Sequence, residues 1–311
     1  MAGRDGGAIV VAGEALVDIV LDRHEDLRAH PGGGPYNLAR TLGRLEQPVL
    51  YLGRVSTDRF GTRLRAELMR DGVGLDAVVA TDQPTTLALA EIDADGSATY
   101  RFYVEGTSSP GLTLPEAIRV LPADVAVLVV GTLGLVYEPA AATHEELVAR
   151  AGPDTLVMLD PNCRPATIAD GAAFRGRIGR MLRRTDLLKA SVEDLEYLRP
   201  GTDAVDAVRG MLAEGPAAAV ITRGGDGATV VTRDEAVDVP PVPVEVVDTI
   251  GAGDSFGGGF LAWWRREGLG RAELAQLDLV LEATRFAALV AARTCGQAGA
   301  VPPRLADLDL A

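Results

Sequence analysis

The sequence predicts an α/β fold with a central, mostly parallel sheet and helices on both faces, and three observations carry that expectation. Short apolar, β-branched runs alternate with longer amphipathic segments along most of the chain, the rhythm of βαβ units. The stretch from Thr86 to Val104, TLALAEIDADGSATYRFYV, breaks that rhythm: two alternating strand patterns meet at Asp95-Gly96, a strong hairpin signal. Further on, an apolar run passes through Gly251-Ala252-Gly253 straight into a helical pattern, an arrangement that aims backbone N–H groups at a ligand.

From the N-terminus onward, AIVVAG from Ala8 is nearly continuous in apolar residues, as a strand buried on both faces must be. VAVLVVG from Val125, TLVMLD from Thr155 and AAAVIT from Ala217 read the same way and make up the predicted central sheet. Between them, PYNLARTLGRLE sets Leu38, Leu42 and Leu45 at helical spacing, with Pro35 suited to the first turn. RFGTRLRAELMRDG is a similar helix that stops at Gly72. The hairpin over 86–104, joined by chain after Asp18, predicts a small β lid over a pocket at the carboxyl edge of the sheet, where open α/β folds bind ligands. VEVVDTIGAGDSFGGGFLAWW, from Val244 to Trp264, predicts a strand, a glycine turn and a helix with Phe256, Phe260 and Trp264 on one apolar stripe. LEATRFAALVAARTC, from Leu281 to Cys295, predicts a buried helix. With no internal repeat and no dividing linker, one domain over residues 1–311 is expected, its lid drawn from approximately 18–32 and 84–108.

Composition narrows the function. A formal net charge of −14 disfavours nucleic acid and anionic lipid, both of which need a Lys/Arg footprint, so neither is expected as a partner. It leaves an anionic small molecule open, because a local cluster of N–H donors binds phosphate inside an acidic protein. Cys163 and Cys295 are the only cysteines, and His24, His30 and His144 show no metal-ligand spacing with them, which argues against a zinc site or a disulfide framework. The first apolar stretch is interrupted by Glu14 and Asp18 and suits a strand and turn better than a signal peptide; with no run of about 20 apolar residues, a cytoplasmic protein is expected.

The chemistry concentrates at Asp254. A carboxylate in a first helical turn is as often a cap as a base. Beside an anion-binding helix terminus, however, it has what transfer to an alcohol requires, one group to take the hydroxyl proton and fixed amides to stabilise developing charge. A glycine run at Gly32, Gly33 and Gly34 reads as a turn, followed at once by Asn37, whose amide offers a ligand both donor and acceptor.

DTIGAGDSFGGGF, from Asp248, is similar to the DTxGAGD motif of the ribokinase-like (PfkB) carbohydrate kinases, and PGGGPYNLARTLGRL, from Pro31, resembles that family's N-terminal motif. The likeness continues between the two and covers most of the chain. It implies the ribokinase-like three-layer fold with its β lid, and ATP-dependent phosphorylation of a sugar hydroxyl with Mg²⁺. Asp254 would then be the catalytic base, with Gly251, Ala252 and Gly253 forming the anion hole. GEALVD from Gly13 would bring Asp18 to the sugar hydroxyls, joined by Gly33, Gly34, Asn37 and Tyr103 of FYVEGT; DPNCRP from Asp160 would bring Arg164. For the nucleotide, the resemblance implies Lys189 and Asp194 of KASVEDLEYL, Thr222, Gly224 and Gly227 of ITRGGDGATV, and Ala288 beside the adenine. Asp248 falls where many members bind a monovalent cation, which admits K⁺.

Where the family carries N-x-x-E this chain has Ser191-Val192-Glu193-Asp194, so the magnesium-associated role passes, through water, to Asp194 or to neighbouring Glu193. Ala288 stands where some members have an adenine-side Asn. GEALVD, PGGGPYN, FYVEGT and DPNCRP together look most like fructokinases, then 2-keto-3-deoxygluconate kinases, with ribose or a nucleoside behind. Related kinases pair their lids, so a homodimer is expected. Two other classes compete: a sugar-binding regulator without catalysis, which would have no need of Asp254, and a dinucleotide oxidoreductase, which the first turn does not suit because it reads GEALVD rather than G-x-G-x-x-G.

Overall fold

The computed structural model of the chain describes residues 7–21, 27–92 and 98–308. The first half runs β1 (Ala8–Ala12), β2 (Leu16–Leu21), β3 (Leu27–Gly32), α1 (Gly34–Arg44), β4 (Val49–Ser56), α2 (Arg59–Arg70), β5 (Val78–Thr81), β6 (Leu87–Ile92) and β7 (Ala98–Tyr103). There follow α3 (Leu114–Val120), β8 (Val125–Gly131), α4 (Ala140–Ala149), β9 (Leu156–Asp160), α5 (Gly171–Leu182), β10 (Leu187–Ser191), α6 (Val192–Leu198) and α7 (Ala204–Leu212). The chain closes with β11 (Ala218–Thr222), β12 (Ala228–Val231), β13 (Ala236–Val239), α8 (Ala252–Arg266) and α9 (Leu277–Cys295).

Nine strands form the central sheet in the order β13-β12-β11-β10-β9-β8-β1-β4-β5. From β11 through β5 every pairing is parallel, and the β11–β12 and β12–β13 pairings are antiparallel. The expected mixed α/β architecture is therefore present, and all four predicted strands lie in this sheet. Alternation within β1 shows why those strands are apolar throughout: Ile9 and Val11 pack into one core and Val10 and Ala12 into the other, on opposite faces. One core is covered by α1, α2, α8 and α9, the second by α3 to α7.

A second sheet of four strands, β3-β2-β6-β7, draws on two separated parts of the chain. β6 and β7 pair antiparallel from Leu87↔Tyr103 to Ile92↔Ala98, β2 pairs with β6 in parallel, and β3 folds back on β2. The Asp95-Gly96 turn lies outside the described residues.

Two readings of the sequence need correction. The run from Val244 is not a strand: Val246 and Val247 are each 60% exposed, and the N–H groups of Val247 and Asp248 donate instead to the carbonyl of Cys295 at the end of α9. Among the described residues it joins neither sheet. The helix predicted from Leu281 begins one turn earlier, at Leu277. Among the described residues, no helix is long and apolar enough to cross a membrane.

Packing between α8 and α1 places the site. A Cβ on Gly258 would meet the side chain of Thr41 at 2.6 Å, so only glycine allows the two helices to approach this closely. Phe260 and Trp264 stack at 5.5 Å on the buried side of α8, and the Trp264 indole donates to the Gly270 carbonyl at 3.0 Å.

Candidate active site

The carboxyl ends of β1, β8, β9, β10 and β11 converge on one edge of the central sheet, and α1 and α8 begin there. Gly251 takes the left-handed conformation, φ 76°, at the N-terminus of α8, and no side chain caps that helix among the described residues. Asp254 is therefore not a cap. Its Oδ2 accepts a 2.9 Å hydrogen bond from Asn37 Nδ2 across 217 residues of sequence. Asn37 is itself buried, 5% exposed, and its Oδ1 has no partner among the described residues, leaving an acceptor beside the carboxylate.

Burial pushes the Asp254 carboxyl up to about 6, against the opposing pull of the Asn37 hydrogen bond and the Lys189 charge. Asp18, half-buried on β2, is raised to about 6 as well, by burial first and then by the charge of Asp254. A carboxylate on the four-stranded sheet thus senses one on α8 across a single space.

Lys189 lies under the helix terminus. Its ammonium is buried and pairs with Asp160 Oδ2 at 2.6 Å, and it sits 3.3 Å from where a Cβ on Gly253 would project. Burial works against its charge, but Asp160, Asp254 and Asp194 outweigh that and hold its pKa above the ordinary lysine range. The second oxygen of Asp160 is buried without a hydrogen-bond partner among the described residues.

Asp194 is buried and fully engaged by donors from the protein. Oδ1 accepts from the Cys163 N–H at 2.5 Å, and Oδ2 from the N–H and hydroxyl of Ser191 at 2.8 and 2.9 Å, closing a capping box on α6. It pins the 160–164 loop to that helix. Direct metal ligation does not suit a carboxylate so occupied. Glu193 is exposed.

The other sequence-derived residues spread around this centre. Arg164 is exposed and donates to the carbonyls of Cys163 at 3.1 Å and Asn162 at 3.4 Å, although its charge is felt at Asp254. Tyr103, at the end of β7, is 49% exposed. Thr222 ends β11 and leads into the turn holding Gly224 and Gly227, both with positive φ. Ala288 is half-buried on α9 and packs against the core. Asp248 accepts from the N–H groups of Ile250 at 3.0 Å and Gly299 at 2.8 Å, tying the approach to α8 to the turn after α9.

Glu14 and Asp160 escaped the reading of the sequence as site residues. Glu14 is 4% exposed just beyond β1, where its carboxylate accepts from the N–H groups of Gly34 and Gly134 and from the Thr132 hydroxyl. The one available signal was a lone acid at the end of a wholly apolar run, AIVVAGE.

Comparison with known proteins agrees with this geometry. The model of the pfkB family carbohydrate kinases matches residues 8–306. A fructokinase of Rhizobium leguminosarum bv. trifolii is 35% identical over 276 residues, 87% of this chain and 84% of that protein. Fructokinase-1 of Oryza sativa subsp. japonica is 32% identical over 323 residues, 100% of this chain and 98% of its own. Among solved structures, fructokinase with bound ATP from Xylella fastidiosa superposes with a TM-score of 0.89 at 27% identity, covering 96% of each chain. Matched almost from end to end by the family and by relatives above 30% identity, the chain belongs to the pfkB family of carbohydrate kinases.

Proposed function

We propose that this kinase transfers the γ-phosphoryl group of ATP to fructose, giving fructose 6-phosphate, with Asp254 as the general base. The observation that carries the mechanism is the Asn37–Asp254 hydrogen bond: it fixes a half-buried, uncapped carboxylate at the glycine-opened end of α8 and leaves its other oxygen, Oδ1, turned toward Gly34. The acceptor hydroxyl gives its proton to Asp254 while its oxygen attacks the γ-phosphorus in line; the new O–P bond forms as the bond to the β-phosphate oxygen breaks and ADP leaves. Backbone N–H groups of Gly251, Gly253 and Asp254 and the Lys189 ammonium face the charge that develops, whereas the Ala252 N–H, expected among them, is turned to the Thr249 carbonyl at 3.2 Å. Asp18 and Asn37 hold sugar hydroxyls beneath the four-stranded sheet, which acts as the lid. Thr222, the Gly224–Gly227 turn and α9 near Ala288 border the nucleotide. Mg²⁺ would be held through water near Asp194 and would supply neutralisation of phosphate charge. Fructose is favoured over other sugars by the relatives, two of which are fructokinases over most of this chain.

A coupled ADP-release assay with Mg·ATP tests the substrate, using fructose, 2-keto-3-deoxygluconate, ribose and several nucleosides in potassium and in sodium buffers. Fructose is expected to give the highest kcat/KM, and faster turnover on 2-keto-3-deoxygluconate would reassign the acceptor, with Arg164 as the group for its carboxylate.

A pH profile tests the base. Asp254 must be ionised to accept a proton, and its pKa is about 6, so kcat/KM for the sugar at saturating ATP is expected to fall roughly tenfold per pH unit below about 6. Asp18 titrates in the same range, and the limb belongs to the pair rather than to either residue. A profile flat down to pH 4.5 would contradict this role.

A further inference from the structure

Glu14 joins three segments that meet at the pocket. It follows β1; its Oε1 accepts from the Gly34 N–H, at the start of α1, at 3.1 Å and from the Thr132 hydroxyl just beyond β8, and its Oε2 accepts from the Gly134 N–H at 3.1 Å. The turn it holds is a demanding one: Thr132 has φ 55°, a conformation a β-branched residue rarely adopts without support. Behind that turn, His144 Nδ1 meets the Gly134 carbonyl at 2.8 Å, and Tyr51 donates to the Gly13 carbonyl at 2.7 Å, so the clamp is braced from both sides.

What the clamp spaces is visible at Gly34. A Cβ there would lie 2.6 Å from Thr132 Cγ2 and 3.1 Å from Asp254 Oδ1. Thr132 and Oδ1 of Asp254 therefore meet on the same face of Gly34, the one a side chain there would fill, and Glu14 is bonded both to Gly34 and to Thr132. We propose that Glu14 is the positioning residue of the acceptor site, fixing the Gly34 and Thr132 backbone beside Asp254 Oδ1, where the sugar hydroxyl meets the base. The inference rests on the kinase reading above. It assigns Glu14 no contact with the reacting atoms.

Three donors converge on the carboxylate, which only an ionised group accepts in full. Burial pushes the Glu14 carboxyl up to about 7 against the pull of these hydrogen bonds, so the clamp is complete only where the group is ionised, above that pH. Glu14→Gln keeps the shape but replaces one acceptor oxygen with an NH₂, which faces an N–H or O–H donor head-on.

The test is steady-state kinetics of the full chain, with fructose and ATP varied separately, alongside the melting temperature. Glu14→Gln is expected to lower kcat/KM for fructose by about 10–100-fold, mainly by raising its KM, with KM for ATP within about twofold of wild type. Thr132→Val, which removes one donor and keeps the branched shape, is expected to shift the fructose KM in the same direction by about 3–10-fold. The double variant should lose less than the product of the two, because both act on one clamp. Equal changes in the two KM values, or a lowered melting temperature with both KM values unchanged, would overturn the assignment. If Glu14→Gln does not fold, Thr132→Val decides alone: an unchanged fructose KM overturns it. Wild-type protein inactive on every sugar would instead remove the kinase reading, and this inference with it.

Discussion

Asp254→Asn is expected to lower kcat by about 10²–10⁴-fold while fructose affinity, measured by calorimetry, stays within a few-fold of wild type. The substitution is nearly isosteric, so the α8 terminus and its glycine turn are kept. Asn37 Nδ2 can still donate to the new side-chain carbonyl as it does to Asp254 Oδ2 at 2.9 Å. What disappears is the capacity to take a proton, and with it the charge that raises the Asp18 pKa and helps hold Lys189 charged. Residual turnover should come from positioning and from the amide-lined helix end, which need no base. Asp254→Ala should be somewhat worse, since it also leaves Asn37 with no fixed partner and so loosens the sugar side of the pocket. Near-normal turnover in Asp254→Asn would remove the residue from the mechanism.

That prediction rests on a contact that sequence spacing could not reveal. Asn37 and Asp254 become neighbours because Gly258 lets α8 press against Thr41 of α1, and nothing in a linear pattern encodes a helix–helix distance. Only the likeness of their two motifs to one family linked them in advance. The framework was easier to read: β1, β8, β9 and β11 are buried on both faces, so each appears as an unbroken apolar run. β10 was missed because Lys189 sits at its middle, a charge tolerated in a buried strand only because Asp160 on β9 answers it at 2.6 Å. Val244 to Val247 misled in the opposite direction, an apolar run exposed beside α9 with no strand to pair with. Asp194 shows a third kind of limit. Its place in the family pattern marked it as magnesium-associated, but in the fold its oxygens receive the N–H groups of Ser191 and Cys163 and so organise the loop that carries Arg164.

Asp71→Asn is expected to produce the largest loss of stability among single polar substitutions at the α1–α2 interface, with little effect on chemistry. Asp71, 2% exposed, follows α2 and takes Arg40 Nε at 2.7 Å on one oxygen and Arg44 at 3.0 Å on the other. Arg40 is also buried, lies 5.6 Å over the Tyr36 ring and reaches Glu67 only at 3.8 Å, too far to replace Asp71. Two guanidinium groups would thus lose their principal counter-charge in a place water does not reach. Breaking a buried pair from one side costs about 3–5 kcal/mol, whereas an exposed pair such as Arg150–Glu146 contributes about 0.3–0.5 kcal/mol. At about 2 °C per kcal/mol for a chain of this size, the melting temperature should drop by roughly 6–10 °C. The same network reaches the active site through Arg40, which donates to the Ala300 carbonyl at 3.2 Å, next to Gly251. Because Asp71→Asn leaves that bond in place, kcat at 25 °C should remain within about threefold of wild type. A melting temperature lowered by less than about 2 °C would mean that the Arg40–Asp71–Arg44 cluster is solvated in solution. A large fall in kcat would mean instead that the cluster positions the α8 terminus through Ala300, making Arg40 the next residue to test.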